Sequence, residues 1–156
     1  MGEIWFGEDA QYRVIRWIEK NVEGVDSPII DVGCGNGMMC VDLAREGFKD
    51  VTGVDYCKEA VDLAEKVAKQ VEVNVEYKVG VFCSFSGFYS GFVSQECDIL
   101  EDLEKTNNPV LKRCYKVVVD KGTFDAISLS ENAKEEKQVY VKNIAALLSG
   151  RHLFFA

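Results

Sequence analysis

The apolar positions of this 156-residue chain fall into short runs that alternate with stretches of helical spacing. Residues 8–22 put Val14, Ile15, Ile18 and Val22 on one helical face. Asp26 and Ser27 before Pro28 make a turn, after which Ile29–Val32 read as a short buried strand. Helix is expected from Met38 to Glu46, with Gly47 placed to end it. Val51–Asp55 reads as a second strand. Residues 58–70 read as a helix with Val61, Ala64, Val67 and Ala68 inward, and Val73–Val79 as a third strand. After a long interruption Tyr115–Asp120 predicts a fourth strand. Glu135–Leu148 predicts a helix presenting Val139, Ile144, Leu147 and Leu148, and Leu153–Phe155 the start of a fifth strand. Strands this short and apolar on both faces, alternating with helices, predict an α/β fold with a doubly wound, mostly parallel sheet covered on both sides. The length suits one domain with one sizeable core.

Composition narrows the classes of function. A net charge of −8 counts against a protein that tracks nucleic-acid phosphates. No apolar run approaches the roughly 20 residues needed to cross a bilayer, so no membrane association is expected. The charged start, MGEIWFGEDAQYRVIRW, does not read as a signal peptide. The six cysteines hold no C-x-x-C pair and His152 is the lone histidine, which speaks against a metal site or a Cys–His catalytic pair. Reduced thiols in the cytoplasm are the expectation.

The chemistry begins at IIDVGCGNG, where Gly33, Gly35 and Gly37 lie between the first strand and the following helix. Glycines in that position let a ligand approach the backbone at the carboxyl end of the sheet. A dinucleotide fingerprint needs its third glycine where Met38 stands, which disfavours a nicotinamide oxidoreductase. The loop fits a nucleoside with an amino-acid tail instead. About twenty residues on, Asp55 ends VTGVD, where a carboxylate can accept both ribose hydroxyls. Strand, loop, helix, strand and acid in this order point to S-adenosylmethionine (SAM) as cofactor.

Three stretches then carry a family resemblance: GEIWFGEDAQYRVIRWI, DVGCGNG with VTGVDY, and VVVDKGTFDAISL. On these the chain resembles the class I SAM-dependent methyltransferases with a Rossmann-like seven-strand fold. It looks closest to the eukaryotic enzymes that methylate lysine on translation elongation factor 1-alpha, for which D-K-G-T-F/L-D-A is a signature. The resemblance implies that Asp31, Gly33, Gly35 and Asn36 contact the amino-acid end of SAM and Asp55 its ribose. It implies Asp98 beside the adenine, Ile99 against the ring, and Trp5, Phe6 and Gly7 closing over the cofactor. Asp120 and the loop to Asp125 would line the path of the methyl group. There Asp120 and Phe124 would hold the lysine ammonium and then the transition state. Core packing for Phe124 and a helix or turn cap for Asp120 are the structural alternatives. Lys121 reads as a loop or salt-bridge residue, and Asp125 as structural.

Two features depart from the family pattern. Residues 81–95, VFCSFSGFYSGFVSQ, carry no charge and four phenylalanines. They read as an insertion, either an aromatic lid or partner loop, or a short unspliced intron. The codons fit the latter, since a valine codon begins GT and a glutamine codon can end in AG. Transcript sequencing that finds the block in every mature message would overturn the intron reading. The family also continues beyond a fifth strand, so a sheet truncated near Phe154 and Phe155, with an uncovered edge, is expected. The function expected is protein-lysine N-methylation with an elongation factor as protein substrate. The alternatives are a SAM-binding fragment without activity and a small-molecule methyltransferase.

Overall fold

The computed structural model describes residues 7–80, 99, 100, 102–106 and 108–155. Helix α1 spans Gly7–Asn21 and buries Ile15 and Ile18, with Val22 just past its end. Strand β1 (Ile29–Val32) is buried along its whole length, as is β2 (Val51–Asp55). Between them α2 (Met38–Arg45) buries Met39, Cys40, Val41 and Leu43. Helix α3 (Lys58–Gln70) follows, with Val61, Ala64 and Ala68 inward, and leads to β3 (Glu76–Val79). The second half comprises α4 (Pro109–Lys112), β4 (Tyr115–Asp120), α5 (Thr123–Ile127), α6 (Ala133–Leu147) and β5 (Leu148–Phe155).

The five strands form one parallel sheet in the order β3-β2-β1-β4-β5. Alternation along the strands divides the core in two. Ile29, Val51, Val117 and Val119 face α1, α2 and α3. Ile30, Val32, Val54 and Val118 face the other way, against Val110, Leu111, Tyr140, Ile144 and Leu147. The chain leaves β1 toward β2 on one side and returns to β4 on the other. The carboxyl end of β1 is therefore the switch point at which such sheets hold their ligands.

Local signals explain most of the element ends. Gly47, at φ 99°, closes α2: its N–H reaches the Ala44 carbonyl (3.1 Å) and the Phe48 N–H reaches that of Leu43 (3.2 Å). That is a Schellman arrangement, with Phe48 and Leu43 both buried in the same core. The end of α3 repeats it with Glu72 at φ 57° in the glycine position; Val73 N–H bonds to the Ala68 carbonyl. This turn consumes Val73, so β3 starts at Glu76 and not at Val73 as the apolar run suggested. Replacing Gly47 with alanine meets no neighbour within 4 Å. Only the left-handed backbone opposes it, so a loss of about 1 kcal/mol is expected in urea denaturation.

Helix α6 departs from expectation in its inward face. Val139 is exposed, and the buried stripe is Tyr140, Asn143, Ile144 and Leu147, at spacings of three, four and seven. Leu148 opens β5, which begins well before Leu153. Helices α4 and α5 were not anticipated. The Asn108-Pro109 pair is the missed signal for α4: the Asn108 side chain accepts the Val110 N–H (2.9 Å) and Pro109 occupies the first turn. Residues 81–95 lie outside the described residues. Among those described, no helix is long and apolar enough to cross a membrane, and Cys34, Cys40, Cys57 and Cys114 are free thiols.

Candidate cofactor site

The loop from Gly33 to Gly37 is held from below by β2, whose Val54 carbonyl accepts the N–H groups of Gly33 (2.8 Å) and Cys34 (2.9 Å). All three glycines have positive φ, yet their surroundings differ. A Cβ on Gly33 would overlap the Thr123 hydroxyl, and one on Gly37 would crowd Tyr77 and Ala64. Gly35 has no protein atom within 4 Å of that position. Two glycines thus serve the packing of the protein, and the third faces open space above the loop. Asp55 closes one end, its carboxylate accepting the Gly35 N–H (2.8 Å) and the Cys57 N–H (2.9 Å). Asn36 accepts the Met38 N–H (3.3 Å) at the start of α2.

The segment after β4 closes the other end. Lys121 Nζ lies 2.7 and 2.6 Å from the two carboxylate oxygens of Asp31, a residue with no exposed surface. Thr123 donates its hydroxyl to the Val32 carbonyl (3.0 Å), which seats it over Gly33. Burial alone would lower the Lys121 pKa, but the Asp31 charge and its hydrogen bonds carry it above the ordinary 10.5. A raised folded-state pKa means the stabilisation is complete below the unfolded value of 10.5 and is lost as pH rises through the folded one. Lys121→Arg is therefore expected to keep its stability to higher pH than the parent chain, read from urea midpoints between neutral pH and the alkaline limit.

Asp120 sits at the turn into α5 with 1% of its surface exposed. Its carboxylate accepts the N–H groups of Thr123 (2.7 Å) and Phe124 (3.0 Å) and the Tyr140 hydroxyl (2.5 Å). Burial raises its pKa despite these donors. Phe124 lies 6.2 Å from the Tyr140 ring, and Lys137 sits 5.7 Å over its face. The structure thus gathers Asp31, Gly33, Gly35, Asn36, Asp55 and Asp120 around one loop, with Phe124 at its margin. Ile99 is buried beside Val32 and Val54, its carbonyl taking the Asn143 amide (2.7 Å). Trp5, Phe6 and Asp98 lie outside the described residues. Sequence reasoning passed over Tyr140, although a tyrosine within an apolar helical stripe needs a partner for its hydroxyl. It also missed Thr123 and Tyr77, whose roles come from packing against glycines.

Residues 29–122, from β1 to Gly122 just before α5, match the family model described as a methyltransferase domain. The chain belongs to the methyltransferase-domain family. EEF1A lysine methyltransferase 2 of Homo sapiens is 36% identical over 98% of this chain and 56% of its own length. The protein-lysine N-methyltransferase efm4 of Schizosaccharomyces pombe is 28% identical over 98% of this chain and 63% of its own. The chain spans little more than half the length of these curated relatives. Among solved structures, the magnesium protoporphyrin IX methyltransferase of Synechocystis, crystallised with bound SAH, superposes with a TM-score of 0.66. At 18% identity it covers 99% of this chain and 61% of its own, and shares the fold.

The site of this methyltransferase-domain chain fits the family's cofactor on its own geometry. The space over Gly35 is open to a ligand. The Asp55 oxygens keep lone pairs after their two backbone bonds, since an ionised carboxylate offers about four acceptor sites. Asp31, Asp55 and Lys121 sum to one negative charge, complementary to the single net positive charge of SAM.

Proposed function

We propose that this chain is a SAM-dependent protein-lysine N-methyltransferase that acts in the cytoplasm on translation elongation factor 1-alpha. The observation that carries the reading is the DKGTFDA elbow, residues 120–126, tied to the end of β1 where the cofactor loop begins. Similarity to proteins named lysine methyltransferases over 98–99% of the chain supports it. The bound cofactor supplies an electrophilic methyl group on sulfur. The protein holds the ribose at Asp55, keeps the glycine loop rigid through Thr123 and Tyr77, and presents the acceptor from the α5 side. In-line positioning of a neutral amine accounts for much of the rate in such a transfer. Asp120, held by three donors, contributes through the loop that it caps, and Phe124 through the surface that it forms with Tyr140 and Lys137. Both residues act here on the acceptor side of the site.

The test is methyl transfer from labelled SAM to purified elongation factor 1-alpha, followed by identification of methyl-lysine in its peptides. Label on low-mass metabolites would favour a small-molecule enzyme instead. That second reading draws on the ubiquinone biosynthesis O-methyltransferase of Pectobacterium atrosepticum, 31% identical over 76% of this chain. Cofactor binding with no transfer to any acceptor would leave a binding fragment.

A further inference from the structure

Accepting the cofactor reading, we infer that Lys121 is the residue that recognises the carboxylate of the cofactor's amino-acid end, with Asp31 as the buried anchor that aims it. The side chain of Asp31 has no exposed surface, whereas 13% of the Lys121 side chain remains accessible. The accessible part of the pair therefore belongs to Lys121. It has three N–H donors, and the two Asp31 oxygens account for two of them. The remaining donor suits an anion.

The position of that anion follows from the two ends of the loop. Asp55 is bonded to Gly35 and takes the ribose end. Lys121 lies beyond Gly33, next to Thr123, so a tail running from the ribose across the open face of Gly35 ends near its ammonium. An ammonium held by a wholly buried carboxylate is fixed in place before the ligand arrives, so little side-chain entropy is lost on binding.

The experiment compares two ligands on the full chain by calorimetry: S-adenosylhomocysteine and its decarboxylated analogue, S-adenosyl-3-thiopropylamine. The parent chain is expected to favour the carboxylate-bearing ligand by about tenfold, as a charge-assisted hydrogen bond warrants. In Lys121→Met that preference falls to near one, through weaker binding of the homocysteine ligand alone. Lys121→Arg retains it. Because Lys121→Met leaves Asp31 buried and unpaired and can unfold the chain, Asp31→Asn/Lys121→Met removes both charges together, with the same result expected. A preference that persists in the folded double variant overturns the inference and spares the cofactor reading. Equal weakening of both ligands also overturns it, by assigning the pair to loop architecture. A parent chain that binds neither ligand overturns the cofactor reading and this inference with it.

Discussion

Gly33→Ala is expected to cost about 3 kcal/mol. Two effects combine: the left-handed backbone at φ 77° costs about 1–2 kcal/mol for an alanine. The new Cβ must also displace the Thr123 hydroxyl from the Val32 carbonyl, an overpacking of about 1–3 kcal/mol. At about 2–4 °C per kcal/mol for a chain of this size, the melting midpoint should fall by roughly 6–12 °C. Adding Thr123→Ala removes the obstruction and leaves the backbone term. The double variant should therefore be more stable than the sum of the two single losses predicts. Strict additivity in urea denaturation would show that the hydroxyl and the glycine do not compete for one space. Gly35→Ala has no protein neighbour to meet. It should lose only about 1 kcal/mol of stability through its backbone while still weakening the binding of S-adenosylhomocysteine.

Asp120→Ala is the second large effect, at about 3 kcal/mol. Loss of the cap over α5 accounts for about 1 kcal/mol. The Tyr140 hydroxyl, left in the core without an acceptor, accounts for about 1–3 kcal/mol more. Tyr140→Phe deletes the donor without stranding an acceptor, because Asp120 keeps its two backbone partners. Its cost should be the smaller, about 1–2 kcal/mol. The order of the two variants separates a capping carboxylate from one held ready for chemistry. Were Asp120→Ala as stable as the parent chain but inactive, the carboxylate would belong to the reacting centre and not to the architecture of the elbow.

The sheet was legible because its strands are buried on both faces: Ile29–Val32, Val51–Asp55 and Tyr115–Asp120 are short apolar runs that leave no other assignment. The glycine loop was legible because three glycines and an acid at the correct remove leave a pattern in one dimension. What escaped depends on distance across the chain. Val139 and Tyr140 both look apolar along α6, and their neighbours across the fold decide that Tyr140 turns inward, onto Asp120. Gly33 looks like a ligand-facing residue, and only the arrival of Thr123 shows that the protein itself fills the place of its side chain. At the start of β3, Glu72 in a left-handed turn leaves no mark in composition, so the strand was read three residues too early. Asp31 and Lys121 were each noticed, but their union was not, because nothing in the sequence joins residues 90 apart.

That separation has a consequence for how the molecule is made. The two ties that fasten the elbow to the end of β1, Lys121 to Asp31 and Thr123 to Val32, close loops of 90 and 91 residues. The tie from Asp55 to Gly35 closes one of 20. On loop-closure entropy alone the longer closure costs about 1.3 kcal/mol more. During synthesis, β1, α2 and β2 emerge and can pair while the elbow is still unmade. A nascent chain therefore carries an Asp31 carboxylate without its counter-ion until β4 slides in beside β1. Burying that charge any earlier is unfavourable, so the pairing of β4 with β1 and the arrival of the Asp31 counter-ion are a single late event.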